Sequence, residues 1–123
     1  MNEKAENQDH DKIWLKHYDQ GVPDEIDFGA YNCIPDILDE VFNNFAQKPA
    51  FHNMGKTISY RELEGECKKF GSYLQNELNL QPGDKVALMM PNILQYPIAL
   101  FGLLKAGFVA VNVNPLYTAR ELE

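Results

Sequence analysis

Residues 82–123 read PGDKVALMMPNILQYPIALFGLLKAGFVAVNVNPLYTARELE, and this stretch decides the fold. Pro82-Gly83 turns the chain into an apolar run from Lys85 to Met90, which predicts a strand. Asn92 is placed to cap a helix reaching Ala106, and Gln95, three residues on, completes a capping box. Gly107 supplies the helix stop, and Phe108 to Val113 reads as a second strand. Strand, helix and strand joined by tight turns make a βαβ unit, with parallel strands and a right-handed crossover. Pro97 falls inside the expected helix and predicts a slight bend, because proline removes a donor and crowds the preceding turn. Phe101, on the same helix, is expected in the core.

Thr118 and Glu121 form a further capping box, so residues 118–123 begin a helix and supply no body for it. The expectation is therefore the front piece of a larger protein. Parallel strands need cover on both faces, and few helices here can give it, which points the same way.

Upstream, Ser59 and Glu62 cap a helix whose apolar face is Leu63, Cys67, Phe70, Leu74 and Leu78. Before it, Pro49–Asn53 and Thr57–Tyr60 flank Met54-Gly55-Lys56 and predict a short hairpin. Pro35 opens an amphipathic helix carried by Ile34, Ile37, Leu38, Val41, Phe42 and Phe45. From Asp19 to Tyr31 there is no period, and Gly21, Pro23 and Gly29 interrupt the run. Trp14, in the cluster Ile13, Trp14, Leu15 and Tyr18, is expected to be packed as an anchor for this arm. The chain thus divides into a disordered polar lead-in (1–12), an extended acidic arm (13–33) and an incomplete α/β subdomain (34–123).

The net charge of -7 is unevenly placed. Residues 1–40 hold eleven acids and three bases, whereas residues 41–123 hold seven acids and eight bases. The acidity thus belongs to the arm, and no basic stripe offers itself to nucleic acid. Cys33 and Cys67 form no CxxC pair and read as buried free thiols of a reducing compartment. Residues 1–12 lack the apolar segment of a secretory signal. Between Val86 and Ala119 the only charge is Lys105, so this region approaches membrane-like hydropathy. Pro97, Lys105 and Gly107 interrupt it, leaving a helix shorter than the ~20 residues a bilayer requires.

The remaining motifs carry structural readings. Gly55-Lys56-Thr57 resembles the end of a phosphate-binding loop, but the position of the first glycine is Ala50 and bulky residues intervene. Met89-Met90-Pro91-Asn92 holds no GxGxxG where a dinucleotide fold would need it. His10, His17 and His52 have no metal-ligand spacing, with His52 expected to face outward on its strand. Asn114-Pro115 reads as turn chemistry, and Asn112 as a structural hydrogen bond to a neighbouring loop. No catalytic, cofactor-binding or metal-binding residue is assigned from the sequence.

In order, the segments PAF, a glycine hairpin, ISYRELE, PGDKVALMMPN, ALFGLLKAG and VNVNPLYTARELE resemble the N-terminal part of adenylate-forming acyl-CoA synthetases. The similarity covers residues 13–123, and MMPNILQYPIALFG with VNVNPLYTARELE most resembles bacterial long-chain-fatty-acid–CoA ligases. The resemblance implies the large α/β domain of such an enzyme, which uses ATP, Mg and CoA to convert a fatty acid through an acyl-adenylate to a thioester. It places the phosphate loop, adenine contacts and catalytic lysine beyond residue 123, so the chain alone is expected to be inactive. The free thiols and the missing signal segment point to a cytoplasmic protein, and the resemblance adds peripheral inner-membrane contact and homodimers among its relatives. Medium-chain and aryl-acid ligases, a non-catalytic interaction module docking through Trp14 and the acidic arm, and a membrane-anchored segment are the competing readings.

Overall fold

The computed structural model describes residues 12–122, and the chain divides into two units, Met1–Ala30 and Tyr31–Glu123. The lead-in expected over 1–12 lies outside the described residues except for Lys12, and His10 lies outside them too. In the first unit, Leu15–His17 form a single 3-10 turn, and Lys12 pairs with Glu25 at 3.0 Å. Trp14 is 51% exposed, so the packed anchor expected from the sequence is not formed. Among the described residues of its unit, one three-residue turn has no second apolar layer against which an indole could be buried.

The second unit opens with α1 (Ile34–Phe45), whose Pro35 sits in the first turn where a missing N–H is harmless. Leu38 and Phe42 are its buried residues. Next come β1 (Pro49–Asn53) and β2 (Lys56–Ser59), an antiparallel hairpin. Met54 (φ 47°) and Gly55 (φ 80°) both take left-handed backbone, which defines a two-residue turn matched to the strand twist. Lys56 therefore belongs to β2 and not to the turn.

The helix α2 (Tyr60–Asn76) starts on the expected box: Ser59 N donates to Glu62 Oε2 at 2.8 Å, and Glu62 N donates to Ser59 Oγ at 3.3 Å. Beyond its end Asn79 takes φ 56°, and Leu78, expected on the apolar face, is half exposed. The strand β3 (Lys85–Leu88), the helix α3 (Gln95–Lys105) and the strand β4 (Val109–Asn112) complete the βαβ unit, with β3 and β4 parallel from Lys85↔Val109 to Leu88↔Asn112. A last capping box, Thr118 with Glu121, opens a 3-10 turn at Ala119–Glu121.

One boundary differs from the sequence reading for a physical reason. Asn92 does not cap α3; the helix begins at Gln95 behind Leu94, which makes no side-chain cap. A helix starting after Asn92 would set the Pro97 ring against the Ile93 carbonyl, four residues back. Starting at Gln95 places Pro97 third in the helix, where no intrahelical donor is needed, so no bend is required. At the other end, Gly107 (φ 84°) lets Phe108 N reach Leu103 O at 3.0 Å and Gly107 N reach Leu104 O at 3.2 Å, a Schellman closure.

Two apolar clusters hold the unit together. Leu38, Phe42, Ile58, Leu63 and Cys67 form one; Leu74, Leu88, Ala99, Leu103 and Phe108 form the other. Between them α2 crosses α3 almost backbone to backbone: a Cβ on Gly102 would lie 2.9 Å from Cys67 O, and one on Gly71 would lie 3.2 Å from Gly102 O. Phe101 is only half buried and turns its ring towards Phe51, 6.3 Å away, while Leu103 takes the fully buried place. Lys105 pairs with Asp39 and lies 5.7 Å from the Phe42 ring, fastening α3 to α1. No helix among the described residues is long and apolar enough to cross a membrane.

Candidate binding site

The loop between β3 and α3 is where the fold opens. It runs from Met89 to Leu94, and the hairpin tip is tied to it, because Asn53 Nδ2 donates to the Asn92 carbonyl at 3.1 Å. On one side lies a groove of about 380 Å³ between the hairpin and α3, walled by Phe51, Leu94, Pro97, Leu100 and Phe101. On the other side a cavity of about 430 Å³ sits beyond the carboxyl ends of β3 and β4, walled by Leu88, Met90, Asn112 and Asn114. Asn92 and Tyr96 line both. Open α/β sheets bind ligands at the carboxyl ends of their strands, so position alone marks the second cavity.

No Asp, Glu, Lys or Arg side chain lines either hollow, and His52 stands in the wall of the first. A third hollow of about 540 Å³ includes Lys56, Glu62 and Glu66. Of these, Glu62 is already committed to Ser59, whose backbone N–H and hydroxyl hold its carboxyl below the ordinary range. Thr118 does the same to Glu121, through its backbone N–H first. Burial pushes the Cys67 thiol up to about 11, so at neutral pH it is neither nucleophile nor metal ligand. Among the described residues no group of three or more His, Cys, Asp or Glu side chains could hold a metal ion. The arrangement can donate and accept hydrogen bonds, and its one imidazole among the described lining residues, His52, is held beside the Thr57 hydroxyl at the exposed hairpin.

The residues singled out in the sequence fall in different places. Gly55 sits in the hairpin turn and Lys56-Thr57 in β2, with Thr57 Oγ1 2.7 Å from His52 Nδ1, so the sequence leads into a strand and no helix follows it directly. His52 is exposed as expected, and His17 lies in the 3-10 turn of the first unit. Asn114 shows turn chemistry, its Oδ1 accepting from Leu116 N at 3.0 Å. Asn112 does not make the expected loop bond: it ends β4 exposed, with no side-chain partner among the described residues. Cys33 is exposed at the start of α1, which corrects the expectation that both thiols are buried. Sequence reasoning does not find Asn53 or Tyr96. The tie from Asn53 spans 39 residues, and no local pattern announces it.

Comparison with known proteins fixes the relationship. Residues 38–123 match the family model described as AMP-binding enzyme. The chain is 53% identical over 113 residues to the long-chain-fatty-acid–CoA ligase of Haemophilus influenzae and 54% identical to that of Yersinia pestis, in each case over 92% of this chain and 20% of the relative. It therefore spans about a fifth of the length of the curated relatives it matches. Among solved structures, the Klebsiella oxytoca NpsA N-terminal subdomain in complex with 3-hydroxyanthranilyl-AMSN superposes with a TM-score of 0.68 at 34% identity, over 72% of this chain and 22% of that one. The anthranilate CoA ligase AuaEII in complex with anthranoyl-AMP gives 0.69 at 26% identity, over 75% and 18%. With residues 38–123 matched by that model, the chain belongs to the AMP-binding enzyme family.

Proposed function

We propose that the protein works as a long-chain-fatty-acid–CoA ligase, to which these residues contribute the hairpin, the α2–α3 crossing and the β3–β4 edge. MgATP and a fatty acid give an acyl-adenylate and pyrophosphate; the CoA thiol then displaces AMP to give the thioester. The observation that carries this reading is the 53–54% identity to two such ligases over 92% of the chain, against 34% and 26% for the aryl-acid proteins of known structure. No chemical step is assigned to a side chain of this segment. Its part is to hold the loop at the carboxyl edge of the sheet: Asn53 fixes Asn92, and Gly71 with Gly102 fixes α3 against α2. The phosphate-handling groups are supplied, in this reading, by residues outside these 123. The reaction is placed in the cytoplasm, where ATP and CoA are available.

The test is acid selectivity. The gene product containing these residues, supplied with equal palmitate and anthranilate together with MgATP and CoA, should form palmitoyl-CoA as the main thioester by mass spectrometry. Anthraniloyl-CoA as the main product would move the assignment to the aryl-acid branch.

A further inference from the structure

We propose that Asn53 is a positioning residue of the ligase, setting the loop between β3 and α3 from the hairpin; this deepens the ligase reading and rests on it. Residues 89–94 read MMPNIL and have little of their own to hold them. Pro91 has no N–H to give, and α3 starts without a side-chain cap. The bonds from Ile93 N to Pro91 O at 2.9 Å and from Tyr96 N to Ile93 O at 3.0 Å are local. Among the described residues, the one hydrogen bond from this loop to another element is Asn53 Nδ2 to the Asn92 carbonyl, at 3.1 Å.

The donor end of that bond is fixed. Asn53 closes β1 opposite Lys56, and among the described residues its half-buried side chain makes no bond within the hairpin itself. Behind it Ile58 is buried in the first apolar cluster, and Tyr60 N donates to Lys48 O at 3.1 Å, so the hairpin is anchored to the core. One donor thus orients the Asn92–Ile93 peptide plane relative to that core, and turning the plane turns the Asn92 side chain with it. The loop leaves the carboxyl end of β3, where open α/β sheets take their ligands, so its set bears on substrate binding and not on bond making. No residue of the loop is charged, and recognition of a triphosphate needs charge. MgATP should therefore be indifferent to Asn53, and palmitate or CoA should feel its loss.

Steady-state kinetics of the full ligase, with KM measured in turn for MgATP, palmitate and CoA, test this. Asn53→Asp keeps the shape and loses the donor, and Asn53→Leu loses it without adding charge. Both should raise the KM for palmitate or CoA by about 3- to 10-fold, the effect of one hydrogen bond, with kcat and the KM for MgATP kept. Thr57→Val is the control, because it breaks the side-chain contact of Thr57 with His52 in the same hairpin and leaves the loop alone. It should leave every KM unchanged. Values for palmitate and CoA that stay within about twofold in both Asn53 variants would overturn the proposal. So would a rise confined to MgATP, or an equal rise in Thr57→Val, which would reduce Asn53 to a support of the hairpin. Failure of the ligase reading shows separately: the unsubstituted protein would then release no pyrophosphate in response to palmitate.

Discussion

Adding one methyl group at Gly102 should destabilise the second unit, while the same change at Gly65 should stabilise it. Both glycines lie inside helices, where alanine is favoured by about 0.8–1 kcal/mol. At Gly65 nothing lies within 4 Å of the added Cβ, so Gly65→Ala should gain about 0.5–1 kcal/mol. At Gly102 the new carbon would stand 2.9 Å from the Cys67 carbonyl oxygen and 3.2 Å from Phe70 Cδ1. The phenyl ring can yield, but the carbonyl belongs to α2 and moves only if the helices separate. Overpacking of this kind costs about 1–3 kcal/mol, which offsets or outweighs the propensity gain and leaves a net loss of up to about 2 kcal/mol. Thermal unfolding followed by circular dichroism reads both, at roughly 4–8 °C per kcal/mol for a unit of this size. A Gly102→Ala chain as stable as Gly65→Ala would refute the close crossing of α2 and α3.

Three further outcomes follow from the packing and the titrating groups. Leu103→Ala should lose about 2–5 kcal/mol in denaturant unfolding, and Phe101→Ala distinctly less, since Leu103 is fully buried and Phe101 lines an open groove. Cys33, which is exposed, should react with a thiol reagent at pH 7 well ahead of Cys67, which reacts only as fast as the unit opens; equal rates would place Cys67 at the surface. Glu62 has its carboxyl held below the ordinary 4.5, so its contribution is complete above that value and is lost as the pH falls through the lower folded value. Stability should therefore drop less between pH 5 and 3 in Glu62→Gln, which keeps the capping box without a titrating group.

What could be read from the sequence was local chemistry. Both boxes with a hydroxyl at the cap, Ser59-Glu62 and Thr118-Glu121, are formed, and the third, at Asn92-Gln95, is not. The difference is Pro97, whose ring fixes where α3 can start and outranks a favourable cap residue. The parallel pair was legible because apolar runs separated by a helix-length segment admit few other arrangements. The glycine crossing was not, because Gly71 and Gly102 meet only once two helices pack. The Asn53–Asn92 tie was hidden for the same reason. Trp14 and Cys33 were misjudged by composition alone: an apolar residue type says what would be favourable to bury, and the short first turn and the open start of α1 provide nothing to bury them against.

The ligase assignment is tested most directly by product stoichiometry. The gene product containing these residues is incubated with palmitate, MgATP and CoA, and AMP, pyrophosphate and palmitoyl-CoA are measured over time beside the 123-residue chain alone. The account predicts that the three products accumulate together, one for one, only when palmitate is present, and that the isolated chain forms none. ADP as the nucleotide product, or AMP released at the same rate without palmitate, would contradict it.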